Sequence, residues 1–236
     1  MKSLTKPLIY LLIFLFPVFF IPVPAQAWEM NKMALLIMGS MLILAVYVIE
    51  RLFLQKTLPL TNSFVTKAVG IFTITALASL LLSRDWYYSL IGMHGDMAGS
   101  FLSLFALAIL FWIIASSFEP RDVRRAWGVF SLSSFVVTAG FLGSLLGPVR
   151  GVFGGQLPAG LSLATSELNQ FALFLAVMTL ISVAISIFTT DRMRARLAYL
   201  IFGIVALLTV LIIYYKPALY VLIFGFVGIF VVYFNR

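Results

Sequence analysis

Residues 198–234 read AYLIFGIVALLTVLIIYYKPALYVLIFGFVGIFVVYF, an apolar run with one charge, Lys216, near its middle. One straight helix of that length would overshoot the hydrocarbon core of a bilayer by a wide margin. Lysine is costly in lipid and Pro217 removes a helix hydrogen bond. The pattern therefore predicts two crossings, 198–214 and 217–234, in a tight helical hairpin. One kinked, steeply tilted helix is the competing reading.

The same grammar continues toward the N-terminus. Apolar runs of roughly bilayer-spanning length occupy 7–24, 33–50, 64–82, 101–118, 127–147 and 171–189. Backbone polar groups in hydrocarbon must bond within their own segment, so each run is expected to be a helix. The runs lack strict alternation and are too long for barrel strands. The expected fold is all-α: a single-domain polytopic transmembrane helical bundle of about eight spans.

Composition points the same way. The chain is 63% hydrophobic and only 10% charged over 236 residues. Soluble domains hold about a quarter charged residues, and a soluble protein could not hide so much apolar surface. The net charge is +8, but the basic residues lie in short gaps between apolar runs, which argues against a nucleic-acid partner. With the N-terminus in the cytoplasm, the inner segments hold Lys2, Lys6, Arg51, Lys56, Lys67, Arg121, Arg124, Arg125, Arg192, Arg194, Arg196 and Arg236. The outer segments hold only Lys32, Arg84, Arg150 and Lys216. The acids divide evenly, as expected of a rule about positive charge. Both termini are thus expected inside. Near the start, Pro22 and Pro24 precede Ala25-Gln26-Ala27, which has the small-x-small form of a signal-peptidase site. The long apolar stretch before it favours an uncleaved first helix, and the rest of the topology is the same either way.

With no cysteine, disulfides, thiol nucleophiles and Cys-ligated metals are excluded, and the one histidine, His94, excludes a multi-histidine metal site. No cofactor is implied. The spans hold almost no charges, so ion-coupled transport is disfavoured. No polar stripe is expected at helical spacing, which leaves a channel unsupported as well.

Two longer outer loops are where chemistry is expected. The first, 83–100, holds Arg84, Asp85, Trp86, Tyr87 and Tyr88. Aromatic rings settle at a membrane interface in any case, but they also stack on sugars, and Arg84 suits a phosphate. Arg84 beside Asp85 also reads as a solvated ion pair. His94 next to Asp96 is the candidate general base, although no serine motif accompanies it. The second loop holds Arg150 among Gly151, Gly154, Gly155 and Gly160, without the spacing of a P-loop. Lys216, at the tip of the last hairpin, either snorkels to water or holds an anionic group. The inner clusters, Arg121-Asp122-Val123-Arg124-Arg125 and Asp191 to Arg196, read as topology anchors that could also touch anionic lipid.

Three stretches carry a family resemblance: Glu29-Met30-Asn31-Lys32 before the second span, Ser83 through Gly92, Gly95 and Gly99 to Leu104, and Ser166-Glu167-Leu168-Asn169-Gln170. Together they resemble the N-terminal part of the O-antigen ligase and polymerase superfamily of bacterial membrane glycosyltransferases. The resemblance implies a metal-independent inverting transferase that takes glycans from an undecaprenyl-diphosphate carrier at the outer face of the inner membrane. Substrate binding would then fall to Arg84, Arg150, Lys216, Trp86 and Tyr87, with His94 and Asp96 as the catalytic candidates. Members of that family have around ten to fourteen spans and a large outer loop in the C-terminal half, which this sequence lacks. Where many relatives place arginine in a Ser-Arg-Gly-like turn, it has Tyr215-Lys216-Pro217, which keeps the charge without the bidentate fork. The alternatives are a non-catalytic scaffold, a partner subunit of a second membrane polypeptide, or a fragment of a longer enzyme; a small transporter ranks below these. The expected partners are membrane lipids and the lipid-linked glycan.

Overall fold

A computed structural model describes residues 4–19, 28–55, 63–92, 99–145, 165–188 and 193–235. Among them the regular structure is entirely helical. In chain order the helices are α1 (Thr5–Val18), α2 (Trp28–Glu50), α3 (Phe64–Leu81), α4 (Trp86–Ile91), α5 (Phe101–Ser117), α6 (Pro120–Leu145), α7 (Thr165–Phe188), α8 (Met193–Ile213) and α9 (Lys216–Phe234). A π-turn, Arg51–Gln55, continues α2. The proposed cleavage site at residues 25–27 lies outside the described residues.

Helix boundaries follow local chemistry. Ser63 caps α3 by accepting from Thr66 N at 3.1 Å, and Ser100 caps α5 by accepting from Ser103 N at 3.3 Å. The 198–234 run is two helices. Tyr214 adopts φ 55, a left-handed conformation uncommon for a residue with a side chain, and Tyr215 is extended. Pro217 then lies in the first turn of α9, where its missing N–H costs nothing. Four helices begin well before their apolar runs. Trp28, Pro120, Thr165 and Met193 open α2, α6, α7 and α8, because charged and polar residues leave a span without ending its helix.

Six helical stretches are long and apolar enough to cross a membrane: Lys32–Phe53, Phe64–Leu81, Pro120–Gly143, Asn169–Phe188, Met193–Ile213 and Lys216–Phe234. The two other expected spans coincide with shorter apolar helices, α1 with 14 residues and α5 with 17.

The chain packs as two compact units, Met1–Val129 and Phe130–Arg236. In the first, one face of α2 (Leu36, Ile43, Tyr47) meets one face of α5 (Ala106, Ile109, Leu110, Ile113) and Ile9 and Leu12 of α1. The four-residue and three-residue steps are those of a helical stripe. Gly39 admits α1 closely, since a Cβ there would lie 2.6 Å from Leu12 Cδ1. In the second unit, Ala172, Leu175, Ala176 and Met178 of α7 share a core with Phe202, Ala206 and Val210 of α8 and Ala218 and Leu222 of α9. Small residues let these backbones approach, as membrane helices require when lipid offers no hydrophobic drive for association.

The outside is apolar. On α6 the buried residues beyond its first turns are Ser131, Ser133, Ser134, Thr138 and Phe141, while Leu132, Phe135 and Val136 face outward. No residue of α3 is buried, and Phe64 is 85% exposed. In water each such side chain forgoes about 2 kcal/mol of burial. Hydroxyls inward and hydrocarbon outward is the arrangement of a multi-pass membrane protein.

Candidate functional site

The polar groups of the first unit gather at two places. One follows α3. The helix closes with Leu82 N donating to Ala78 O, and Ser83 and Ser89 then join hydroxyls at 2.6 Å across the Arg84-Asp85 turn. This bridge, with Ser89 N donating to Asp85 O at 3.0 Å, holds the short helix α4 against the end of α3. Gly92, at φ 99, ends α4 in a conformation that favours glycine. The chain then leads to α5, which packs against both α3 and α4.

Helical geometry fans Trp86, Tyr87 and Tyr88 around α4. Neighbouring rings meet edge to face, with centroids 6.5 Å and 5.9 Å apart. All three remain open, at 62%, 57% and 50% exposure. The Arg84 side chain beside them is exposed as well. Arg84 and Asp85 form no ion pair among the described residues, so the solvated-pair reading fails at that point. The structure thus brings Arg84, Trp86 and Tyr87 together and adds Tyr88, with the Ser83–Ser89 bridge as a support that sequence reasoning missed. Serines six residues apart flanking a turn were the available signal.

His94, Asp96 and Arg150 lie outside the described residues. Lys216 opens α9 in the second unit with an exposed side chain. No group of three His, Cys, Asp or Glu that could hold a metal occurs among the described residues.

The second place lies where the starts of α1 and α6 meet the ends of α2 and α5. Glu50 accepts from the backbone N–H of Leu4 and of Thr5, and from Thr5 Oγ1 at 2.6 Å. It thereby caps α1 from forty-five residues away, in place of a cap from α1 itself. Asp122 is 6% exposed. Its Oδ2 takes Lys6 Nζ at 2.5 Å and the Glu119 N–H at 3.2 Å, and its Oδ1 takes the Tyr10 hydroxyl at 3.2 Å. Tyr47 and Ser116 share a hydroxyl bond of 2.9 Å, and the Arg51 guanidinium lies 5.2 Å from the Tyr47 ring centroid. Nothing in the local sequence pairs Lys6 with Asp122, which are 116 residues apart. Both carboxylates are engaged by protein donors, so this cluster locks helices together and leaves no free base for chemistry.

A polar stripe at helical spacing does exist, contrary to the sequence reading: Ser131, Ser134 and Thr138 on α6, and Thr179, Ser182 and Ser186 on α7, are buried. Most of these hydroxyls bond carbonyls of their own helix. Ser134 donates to Phe130 O and Thr138 to Ser134 O at 2.7 Å each, Thr179 to Leu175 O at 2.8 Å, and Ser186 to Val183 O at 2.9 Å. These four hydroxyls are satisfied within their helices and serve packing, while the buried Ser131 and Ser182 hydroxyls have no hydrogen-bond partner among the described residues.

No family model, curated protein or solved structure matches this chain.

Proposed function

We propose that this chain is a multi-pass protein of the bacterial inner membrane that receives the diphosphate-sugar headgroup of an undecaprenyl-linked glycan on an outer platform of Arg84, Trp86 and Tyr87. It crosses the membrane eight times with both termini inside, α1 and α5 being the short crossings. The observation that carries this reading is the open aromatic fan beside Arg84, which makes no ion pair among the described residues, on a short helix packed against α3 and α5. A guanidinium binds diphosphate oxygens through parallel N–H donors, and exposed rings offer faces to a sugar. The resemblance to O-antigen ligases supplies the substrate class and the side of the membrane. Any transfer step would be metal-independent, with His94 or Asp96 activating the acceptor hydroxyl.

The test is binding of an undecaprenyl-diphosphate sugar to the protein in nanodiscs, with undecaprenol as the headgroup-free comparison. Arg84→Ala and Trp86→Ala should weaken binding, and Arg150→Ala and Lys216→Ala ask whether those cations contribute. Unchanged affinity in every variant would remove the diphosphate site. A second reading, a non-catalytic scaffold or partner subunit, is favoured by one observation: α3 rests on α5 yet buries none of its residues, which leaves most of the surface of a membrane-length helix open to another polypeptide. Co-purification of a second membrane protein that is lost on bulky substitution of Gly70 would support it.

A further inference from the structure

The cluster that joins α1, α2, α5 and α6 sorts its charges. Two of its acids are turned to the protein: Glu50 caps α1, and Asp122 holds Lys6, Tyr10 and the Glu119 N–H. The arginines of α6 point outward. Arg121 and Arg125 have side chains 84% and 72% exposed, and Arg124 between them is exposed as well. Their positions, i, i+3 and i+4, place all three on one face of the first turns of α6.

That face is only weakly compensated. Like charges at this spacing repel, and cations at a helix start oppose the positive end of the macrodipole. The acids nearby do little to offset this. Asp122 is 3.9 Å from Arg125 and already committed to Lys6 at 2.5 Å, while Glu119 reaches Arg121 at 3.3 Å through an exposed pair. Arg124 makes no ion pair among the described residues. Beside them, Trp127 is 39% exposed, the depth marker of a membrane interface. From these observations we infer that the Arg121–Arg124–Arg125 face is a docking surface for anionic phospholipid headgroups in the leaflet that borders the start of α6.

Phosphodiester oxygens would accept from the guanidinium forks, relieve the mutual repulsion and lie at the favourable end of the α6 dipole. The surface is independent of the proposed glycan platform. It lies beyond the opposite end of α5, a helix of 17 residues and so about 25 Å long.

The experiment measures retained lipid by native mass spectrometry after reconstitution in mixed phosphatidylglycerol and phosphatidylcholine nanodiscs. The parent should retain phosphatidylglycerol in clear excess. In Arg121→Gln/Arg124→Gln/Arg125→Gln the excess should fall by up to roughly two orders of magnitude, about fivefold for each charge removed. The corresponding triple lysine variant should retain an intermediate excess, since charge persists while the fork is lost. A triple glutamine variant that folds, by circular dichroism, and keeps the full phosphatidylglycerol excess would overturn the inference. So would equal retention of inorganic phosphate in neutral nanodiscs, which would make the face a site for a free anion. Should the triple variant fail to fold, Arg124→Gln alone carries the test, with a loss of about fivefold expected and no loss decisive against it.

Discussion

The two polar ends of the first unit differ in what their side chains do for one another. Where α1, α2, α5 and α6 meet, every described carboxylate has a donor, and residues far apart in sequence are tied by hydrogen bonds. Beyond α3, Arg84 and the three aromatic residues are tied only to their sequence neighbours and stay open. Satisfied polar networks rigidify a fold, and polar or aromatic groups left open on a fixed support are available to a ligand. The difference supports the proposal that one end serves stability and the other recognition.

The largest effect that could break this assignment lies at Glu50. Glu50→Ala removes the acceptor for two backbone N–H groups and the Thr5 hydroxyl. It should destabilise the protein by about 2–3 kcal/mol, the loss of a cap together with charge-assisted hydrogen bonds. Thermal or denaturant unfolding in detergent micelles reads this, and glycan-headgroup binding by the fraction still folded should be unchanged. A stable Glu50→Ala protein with weakened binding would reverse the roles of the two ends.

Next in size are the platform variants. Arg84→Ala should weaken headgroup binding roughly tenfold to a hundredfold, the range of one charge-assisted contact. Trp86→Ala should weaken it by about tenfold or less through loss of stacking surface. Both should unfold at the parent's midpoint, because neither side chain is buried. A lower midpoint without a binding change would make the aromatic fan an anchor in the interface.

How much of this was legible in the sequence also divides by region. The helices were, because a run such as 217–234 has only one way to satisfy its backbone in lipid. So was the break at Tyr215-Lys216-Pro217, since lysine and proline each oppose a continuous span there. Helix starts were not, because Arg121 to Arg125 interrupt hydrophobicity without interrupting α6. The aromatic platform was visible since its members are consecutive. The Glu50 and Asp122 network was hidden because its partners lie 45 to 116 residues away, and only packing brings them together. The buried serines of α6 were overlooked because a count of charges misses hydroxyls at helical spacing.

Tyr47→Phe tests the locked end more gently. It deletes the hydroxyl bonded to Ser116 at 2.9 Å but leaves the buried ring, and Ser116 still donates to Ile113 O. With one partner still satisfied, the cost should be about 1 kcal/mol in the same unfolding measurement.

The smallest effect should come from α3, which runs toward the platform without joining either network. A Cβ added at Gly70 meets nothing within 4 Å, and the helix around it buries no side chain. Gly70→Ala should therefore lower the entropy of the unfolded chain at no packing cost and stabilise the protein by roughly 0.5–1 kcal/mol. If unfolding instead shows a loss, something occupies that face of α3 in the membrane, and a polypeptide partner becomes the better account of this helix. Gly70→Leu separates the two cases: it should be neutral against lipid, whose chains move aside, and disruptive against a packed helix, whose side chains cannot.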